Sequence, residues 1–108
     1  MAITKKRLAG PLLVNNAVTT RYTVPASTKT VIRKIHVFNN SGSTATLTVS
    51  IGADAAGTRI LDAIPLLTLT SYDFWGPYTM DAAEILQTNA GTTNVLNMTI
   101  DGDEITLG

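Results

Sequence analysis

The sequence predicts an all-β domain, an antiparallel β-sandwich or jelly-roll-like barrel of about eight short strands. Three observations predict it. In Thr44 to Ile51 the apolar residues Ala45, Leu47, Val49 and Ile51 alternate with Thr44, Thr46, Thr48 and Ser50, the period of two that marks a strand with one core face and one hydroxyl-rich face. Turn signals built from Gly, Pro, Asn, Asp and Ser recur about every 8 to 12 residues. No segment of any length carries the apolar spacing of an amphipathic helix. The 108 residues make one domain, able to bury roughly two thirds of its unfolded surface.

The elements follow in order. Met1 to Ala9 is polar and basic without periodicity, which predicts a flexible basic N-terminal arm over 1–9, ahead of a single sandwich domain over 10–108. Pro11 to Val14 is a short apolar piece suited to an edge strand, where proline is tolerated. Val18, Thr20, Tyr22 and Val24 share one face of the next strand, which stops at the turn Pro25 to Thr28. In Thr30 to Asn39, Ile35 and Val37 are in phase and Ile32 is not; a bulge near Arg33-Lys34 puts all three in the core and turns His36 outward with Lys34 and Phe38. Asn39 to Ser43 then closes a hairpin onto Thr44 to Ile51.

Gly52 to Gly57 is a small-residue loop, Thr58 to Ile64 a strand closed by Pro65, and Leu66 to Trp75 another strand ended by Gly76-Pro77. Leu67, Leu69 and Trp75 lie on one phase of it and Tyr72 with Phe74 on the other, so that one side faces the core and the other a neighbour. Met80 to Ala83 has room for one helical turn at most. Glu84 to Thr88 is a strand, Asn89 to Thr93 a turn, and Asn94 to Asp101 the last long strand, with Leu96, Met98 and Ile100 inward. Asp101 to Glu104 reads as a turn and Ile105 to Gly108 as a tail.

Charged residues make up 15% of the chain and the mean hydropathy is positive, with Thr, Asn and Ser filling the surface. Such a surface resists self-association poorly and suits a life inside an assembly. With no cysteine, no disulfide forms, in keeping with assembly inside a cell. The net charge is zero, yet every base except Arg59 lies in the first third of the chain, from Lys5 to Lys34, and every acid follows Ile51. If the fold keeps the halves on different edges, like molecules can dock base to acid; if it interleaves them, the asymmetry cancels. No apolar run reaches the ~18 to 20 residues of a membrane span, and the basic start lacks the aromatics and the number of bases that nucleic-acid binding needs.

Chemistry finds little footing. One histidine without a partner, no cysteine and dispersed Ser and Thr assemble no nucleophile with its base, and no Gly-rich phosphate loop follows a strand. Asp54 sits among alanines, and Asp101, Asp103 and Glu104 lack the other oxygens of a calcium shell. The expectation is no enzyme, no cofactor and no metal.

The run YTVPASTKTVIRKIHVFNNSGSTATLTVSIG, the strand ending in Trp75-Gly76, and MDAAEILQTNAGTTNVLNMTIDGDE together resemble a recurrent type of small tailed-phage virion protein, over about Tyr22 to Glu104. Where such chains usually carry a glycine-acid pair before the penultimate strand, this one has Ala83-Glu84. The resemblance implies a β-sandwich that decorates or cements a capsid, or sits in head-tail or tail structures. The expected protein is therefore a virion component, assembled in the host bacterial cytoplasm, whose partner is the major capsid protein or another virion structural protein. A homo-oligomer is expected, a trimer by preference. Lys5, Lys6 and Arg7 are the expected contacts of the arm, and Leu12, Leu13, Phe38, Phe74 and Tyr78 the expected interface. The alternatives are a head-tail connector or tail-tip subunit, and a carbohydrate-binding sandwich with Trp75, Tyr72 and Tyr78 as an exposed aromatic platform.

Overall fold

A computed structural model describes residues 2–107; Met1 of the expected arm and Gly108 of the expected tail lie outside the described residues. Eight strands follow one another: β1 (Ala2–Val14), β2 (Thr19–Thr23), β3 (Thr28–Asn39), β4 (Ala45–Ile51), β5 (Arg59–Leu66), β6 (Ser71–Met80), β7 (Ile85–Ala90) and β8 (Leu96–Thr106). They form two antiparallel four-stranded sheets, ordered β1-β8-β3-β6 and β2-β7-β4-β5. The pairing is nested. The first strand lies on the last, the second on the seventh, the third on the sixth and the fourth on the fifth, which is a long hairpin doubled over on itself into a jelly roll.

The core between the sheets is built by the in-phase residues of both. Ile32, Ile35, Val37, Leu47, Leu66, Met80, Leu86, Leu96, Met98 and Ile100 are fully buried. The expected bulge is present: the register of β3 slips between Ile32 and Lys34 against both neighbours, and Ile32, Ile35 and Val37 all face inward because of it. Leu96, Met98 and Ile100 point inward as the alternation predicts.

Register slips run across the whole β1-β8-β3-β6 sheet at one level. β1 gains a residue between Arg7 and Ala9, β3 at Arg33, and β6 between Trp75 and Tyr78. Glycine sits where strands close up along this line. A Cβ on Gly102 would lie 2.3 Å from the Val31 carbonyl oxygen, and one on Gly76 2.0 Å from that of Ile32, so neither position accepts a side chain. The bulges crease the sheet, and its strands, 10 to 13 residues long, run past those of the second sheet, 5 to 8 long.

Several expectations need correction. The basic N-terminal segment is no free arm: Ala2 to Arg7 pairs residue by residue with Thr106 to Asp101, and Leu8 reaches the core. Periodicity could not reveal it, since residues 2–7 are exposed throughout and the segment is held by backbone bonds. Asp101 to Glu104 is no turn but the middle of β8, pinned between β1 and β3, and Ile105 and Thr106 continue that strand rather than forming a tail. Asn39 to Ser43 does not close a hairpin, because β3 and β4 lie in different sheets and each already has two strand neighbours. Pro65 and Gly76-Pro77 fall inside β5 and β6, both edge strands whose outward amides need no partner. Leu67 to Thr70 is a loop, with β6 starting at Ser71, and Asp81 to Glu84 is a tight turn closed by Glu84 N–H donating to the Asp81 carbonyl at 3.1 Å. A slip at Arg21 takes Thr20 out of phase with Tyr22, leaving Val18 and Thr20 exposed while Val24 is buried. In β4, Ser50 rather than Ile51 is fully buried, with its hydroxyl on the Gly52 carbonyl.

Candidate functional site

Among the described residues there is no surface pocket, no three His, Cys, Asp or Glu side chains converge, and no helix is long and apolar enough to cross a membrane. The surfaces that differ from their surroundings are the two long edges. One is formed by β1 and β2, the end strands of the two sheets, and the other by β6 and β5.

Each edge is closed to further strand pairing by its own sequence. Pro11, Pro65 and Pro77 remove donors from β1, β5 and β6. β2 is five residues long and bulged at Arg21, and β5 is distorted at Ala63 (φ 48°), whose amide bonds the Thr48 hydroxyl at 3.0 Å. These are the devices by which sheets avoid unwanted augmentation, and they leave side chains to make any contact.

The charges sort by edge. From Ala2 to Thr23, the stretch carrying β1 and β2, there are Lys5, Lys6, Arg7 and Arg21 and no acid; from Gly52 to Glu84, the stretch carrying β5 and β6, there are Asp54, Asp62, Asp73, Asp81 and Glu84 against Arg59 alone. The central strands β3 and β8 balance Lys29, Arg33 and Lys34 with Asp101, Asp103 and Glu104. Both outcomes of the charge asymmetry therefore occur: the C-terminal acids are laid between the bases, and of the middle acids Asp62 and Asp73 go to the far edge strands, while Asp54 lies beside Gln87 of β7, Asp81 meets Lys29 and Glu84 adjoins Val24 at the end of β2. Lys6 Nζ meets Glu104 at 3.2 Å and Arg33 meets Asp103 at 2.8 Å. On the other side Arg59 holds Asp54 and Asp62, Lys29 holds Asp81, and His36 Nδ1 lies 2.6 Å from Asp73. Lys5, Arg7 and Arg21 have no acidic partner among the described residues; Arg21 instead bonds the Leu13 carbonyl, Asn15 and Thr88, tying the β1/β2 edge together.

Apolar exposure sorts the same way. Among the described residues seven large apolar side chains are exposed; Ile3, Leu13 and Val18 lie on the β1/β2 edge and Leu67, Leu69 and Trp75 on the β5/β6 edge, with Leu107 at the C-terminal end. Leu67 and Leu69 are held out by structure: Leu67 N–H donates to the Tyr72 hydroxyl at 2.9 Å, and the Thr68 hydroxyl donates to the Ser41 carbonyl. Trp75 is 66% exposed, and Lys34 Nζ stands 5.4 Å from its ring centroid, a cation–π contact across two strands. The outer face of the second sheet, by contrast, shows Thr46, Thr48, Gln87 and Asn89, polar and uncharged.

The expected interface residues divide. Leu13 is exposed, and Phe38 faces outward, half-buried, between Asn97 and Ser71. Leu12, Phe74 and Tyr78 are half-buried and turn inward: they oppose Met98, Ile35 and Ile32 and pack against the core. The reason is phase, since β6 runs on through Gly76-Pro77 and its inward set is Tyr72, Phe74, Tyr78 and Met80. Tyr72 and Phe74 stack with centroids 6.5 Å apart. The three aromatics of the carbohydrate platform are thereby separated, Trp75 out and Tyr72 and Tyr78 in. Of the expected basic contacts, Lys6 is committed to Glu104, and Lys5 and Arg7 remain on the surface. Ile3 and Val18 were not singled out, Leu67 and Leu69 were placed on a strand instead of a loop, and Trp75 was expected at the surface only as part of the carbohydrate platform; strand prolines and the sorting of charge were the signals that mark their edges.

One polar cluster joins the sheets. Tyr22 reaches from β2 to donate its hydroxyl hydrogen to Glu104 on β8, with the Thr30 hydroxyl 2.8 Å away. Burial, and then the bond to Glu104, push the Tyr22 phenol up to about 12, and the Tyr22 hydroxyl, followed by Lys6, holds the Glu104 carboxyl below its ordinary range.

No protein-family model and no curated protein sequence matches the chain. Solved structures do share its fold. A chain from Bacillus endospore appendages, described as a family of disulfide-linked pili, superposes with a TM-score of 0.57 at 13% identity, covering 98% of this chain and 89% of that one. A chain of infectious bursal disease virus, Gx strain, superposes with a TM-score of 0.57 at 12% identity over 99% of this chain. The present chain spans about a third of the viral one, 32%. At such identities the likeness establishes the fold.

Proposed function

We propose that the protein is a structural subunit of a tailed-phage virion, a decoration or cement protein that binds the major capsid protein and reinforces the shell. The observation that supports it is the concentration of exposed apolar side chains, six of the seven among the described residues, at the two edges of the sandwich, with the bases of β1 and β2 on one of them, the layout of a part that works by contact. Burying one such side chain in a neighbour stabilises the contact by about 1.5 to 3 kcal/mol, and tryptophan is a frequent anchor. The tailed-phage assignment rests on the sequence resemblance. It is tested by labelling particles made from the genome that encodes the chain with an antibody to the purified protein. Label over the whole head is expected; label only at the neck or tail moves the subunit to that station, and unlabelled particles overturn the proposal.

A further inference from the structure

We infer that the partner of each long edge is the opposite edge of another copy of this chain, so that the protein associates head to tail, the basic β1/β2 edge on the acidic β5/β6 edge. The inference rests on the reading of the protein as a structural subunit and adds how its copies join.

Three observations carry it. The edges are complementary in charge: β1 and β2 carry Lys5, Lys6, Arg7 and Arg21 and no acid, whereas β5 and β6 carry Asp62 and Asp73 against Arg59. They are matched in apolar content, with Ile3, Leu13 and Val18 facing Leu67, Leu69 and Trp75. Finally, the prolines and bulges that block strand addition confine the contact to these side chains. An edge runs along a body of 48 × 25 × 18 Å, which offers roughly the 800 Å² per partner of a standard interface.

Polarity follows from the same facts. A two-fold dimer would set an edge against itself, base to base or acid to acid, and like charges across an interface are penalised. Joining unlike edges is a heterologous contact, which closes into a ring when the rotation permits and otherwise extends as a filament.

The test uses the full chain in sedimentation velocity at about 50 mM salt, where exposed charges act over ~10 Å and more. Lys5→Glu with Arg7→Glu removes the net positive charge of the β1/β2 edge, and Asp62→Lys with Asp73→Lys removes the net negative charge of the β5/β6 edge; all four side chains lie on the surface, and circular dichroism checks that each variant keeps the wild-type fold. The wild-type chain is expected to associate, each double variant to weaken association at least tenfold, and an equimolar mixture of the two to restore it, because each then supplies the edge the other lacks. A monomeric wild type, variants that associate as well as wild type, or a mixture that stays monomeric overturns the inference. The readout is independent of particle labelling: a chain found on particles whose variants associate unchanged loses the edge assignment alone, and one that passes the mixing test yet is missing from particles loses the virion assignment alone.

Discussion

Asn39 offers the sharpest test of how the loop end of the sandwich is held. Its side chain is fully buried and uses all of its hydrogen-bonding capacity. Nδ2 donates to the Leu66 carbonyl at 2.9 Å and to the Ser43 carbonyl at 3.0 Å, and Oδ1 accepts from Ser41 N–H at 3.0 Å and the Ser41 hydroxyl at 2.8 Å. One amide thus joins the end of β3 to the end of β5 and shapes the crossing to β4. In Asn39→Ala the Leu66 carbonyl keeps its burial and loses this donor, at about 1 to 3 kcal/mol, and the other bonds give way to water at about 0.5 to 1.5 kcal/mol for the group. The expected loss is about 2 to 4 kcal/mol, a large part of the ~5 to 15 kcal/mol that stabilises a domain, and for a chain of this size about 10 to 25 °C in Tm. Urea unfolding at one fixed protein concentration measures it, with Asn40→Ala, at an exposed position, as the control, expected within about 0.5 kcal/mol of wild type. An Asn39→Ala chain as stable as the control would refute the reasoning, showing that the loops hold one another without this amide.

Gly102→Ala places a Cβ 2.3 Å from the Val31 carbonyl oxygen and 2.8 Å from Leu8 Cδ1, and is expected to cost about 3 kcal/mol or more. Gly42→Ala, with nothing within 4 Å, should leave the urea midpoint unchanged. Removing residues 2–7 strips β8 of its outer partner and of the Lys6–Glu104 pair; a loss of ~2 kcal/mol or more and increased light scattering are expected, whereas an unchanged midpoint would show the segment to be a free arm after all. For pH, the Tyr22 phenol is raised, so its contribution is complete below its unfolded value of about 10 and is lost as pH climbs through about 12. Glu104 is lowered, so its contribution is present above its unfolded value of about 4.3 and is lost as pH falls through its folded one. Midpoints measured against pH should show both losses in wild type. Tyr22→Phe should abolish the alkaline one and shrink the acid one; an alkaline loss that survives the substitution would assign it to another group.

Alternation made the two central sheet strands legible. Ile32, Ile35 and Val37, with their bulge, and Leu96, Met98 and Ile100 could be placed because these strands are buried on one face and exposed on the other, the condition under which a period of two appears. Where a strand buries no apolar face, as in Ala2 to Arg7, the pattern vanishes, and where a strand lies at an edge, proline reads as a stop although the chain runs on through it. Pro65 and Pro77 misled in this way. Loop residues misled differently: Asn39 to Ser43 has the composition of a hairpin turn, but composition says that the chain turns and not which sheet it turns into. The edges themselves were legible only in pieces, as a charge asymmetry without a geometry. Nested pairing supplied that geometry by sending the first two strands to one side and the fifth and sixth to the other.

The nested pairing also dictates when the molecule can form. β4 and β5 are the sole neighbours in sequence that are also neighbours in a sheet, and the outermost pair joins Ala2 to Thr106. Loop closure over such separations comes before any reward from contact, which puts folding in the slow range of ~milliseconds to seconds. On the ribosome β1 waits for β8, its only neighbour in the sheet, and zippering from the middle outward brings the basic strand into place last. The edge that carries Lys5, Lys6 and Arg7 therefore takes shape only once β8 has been made, so any contact built on that edge has to follow the closing of the sandwich itself.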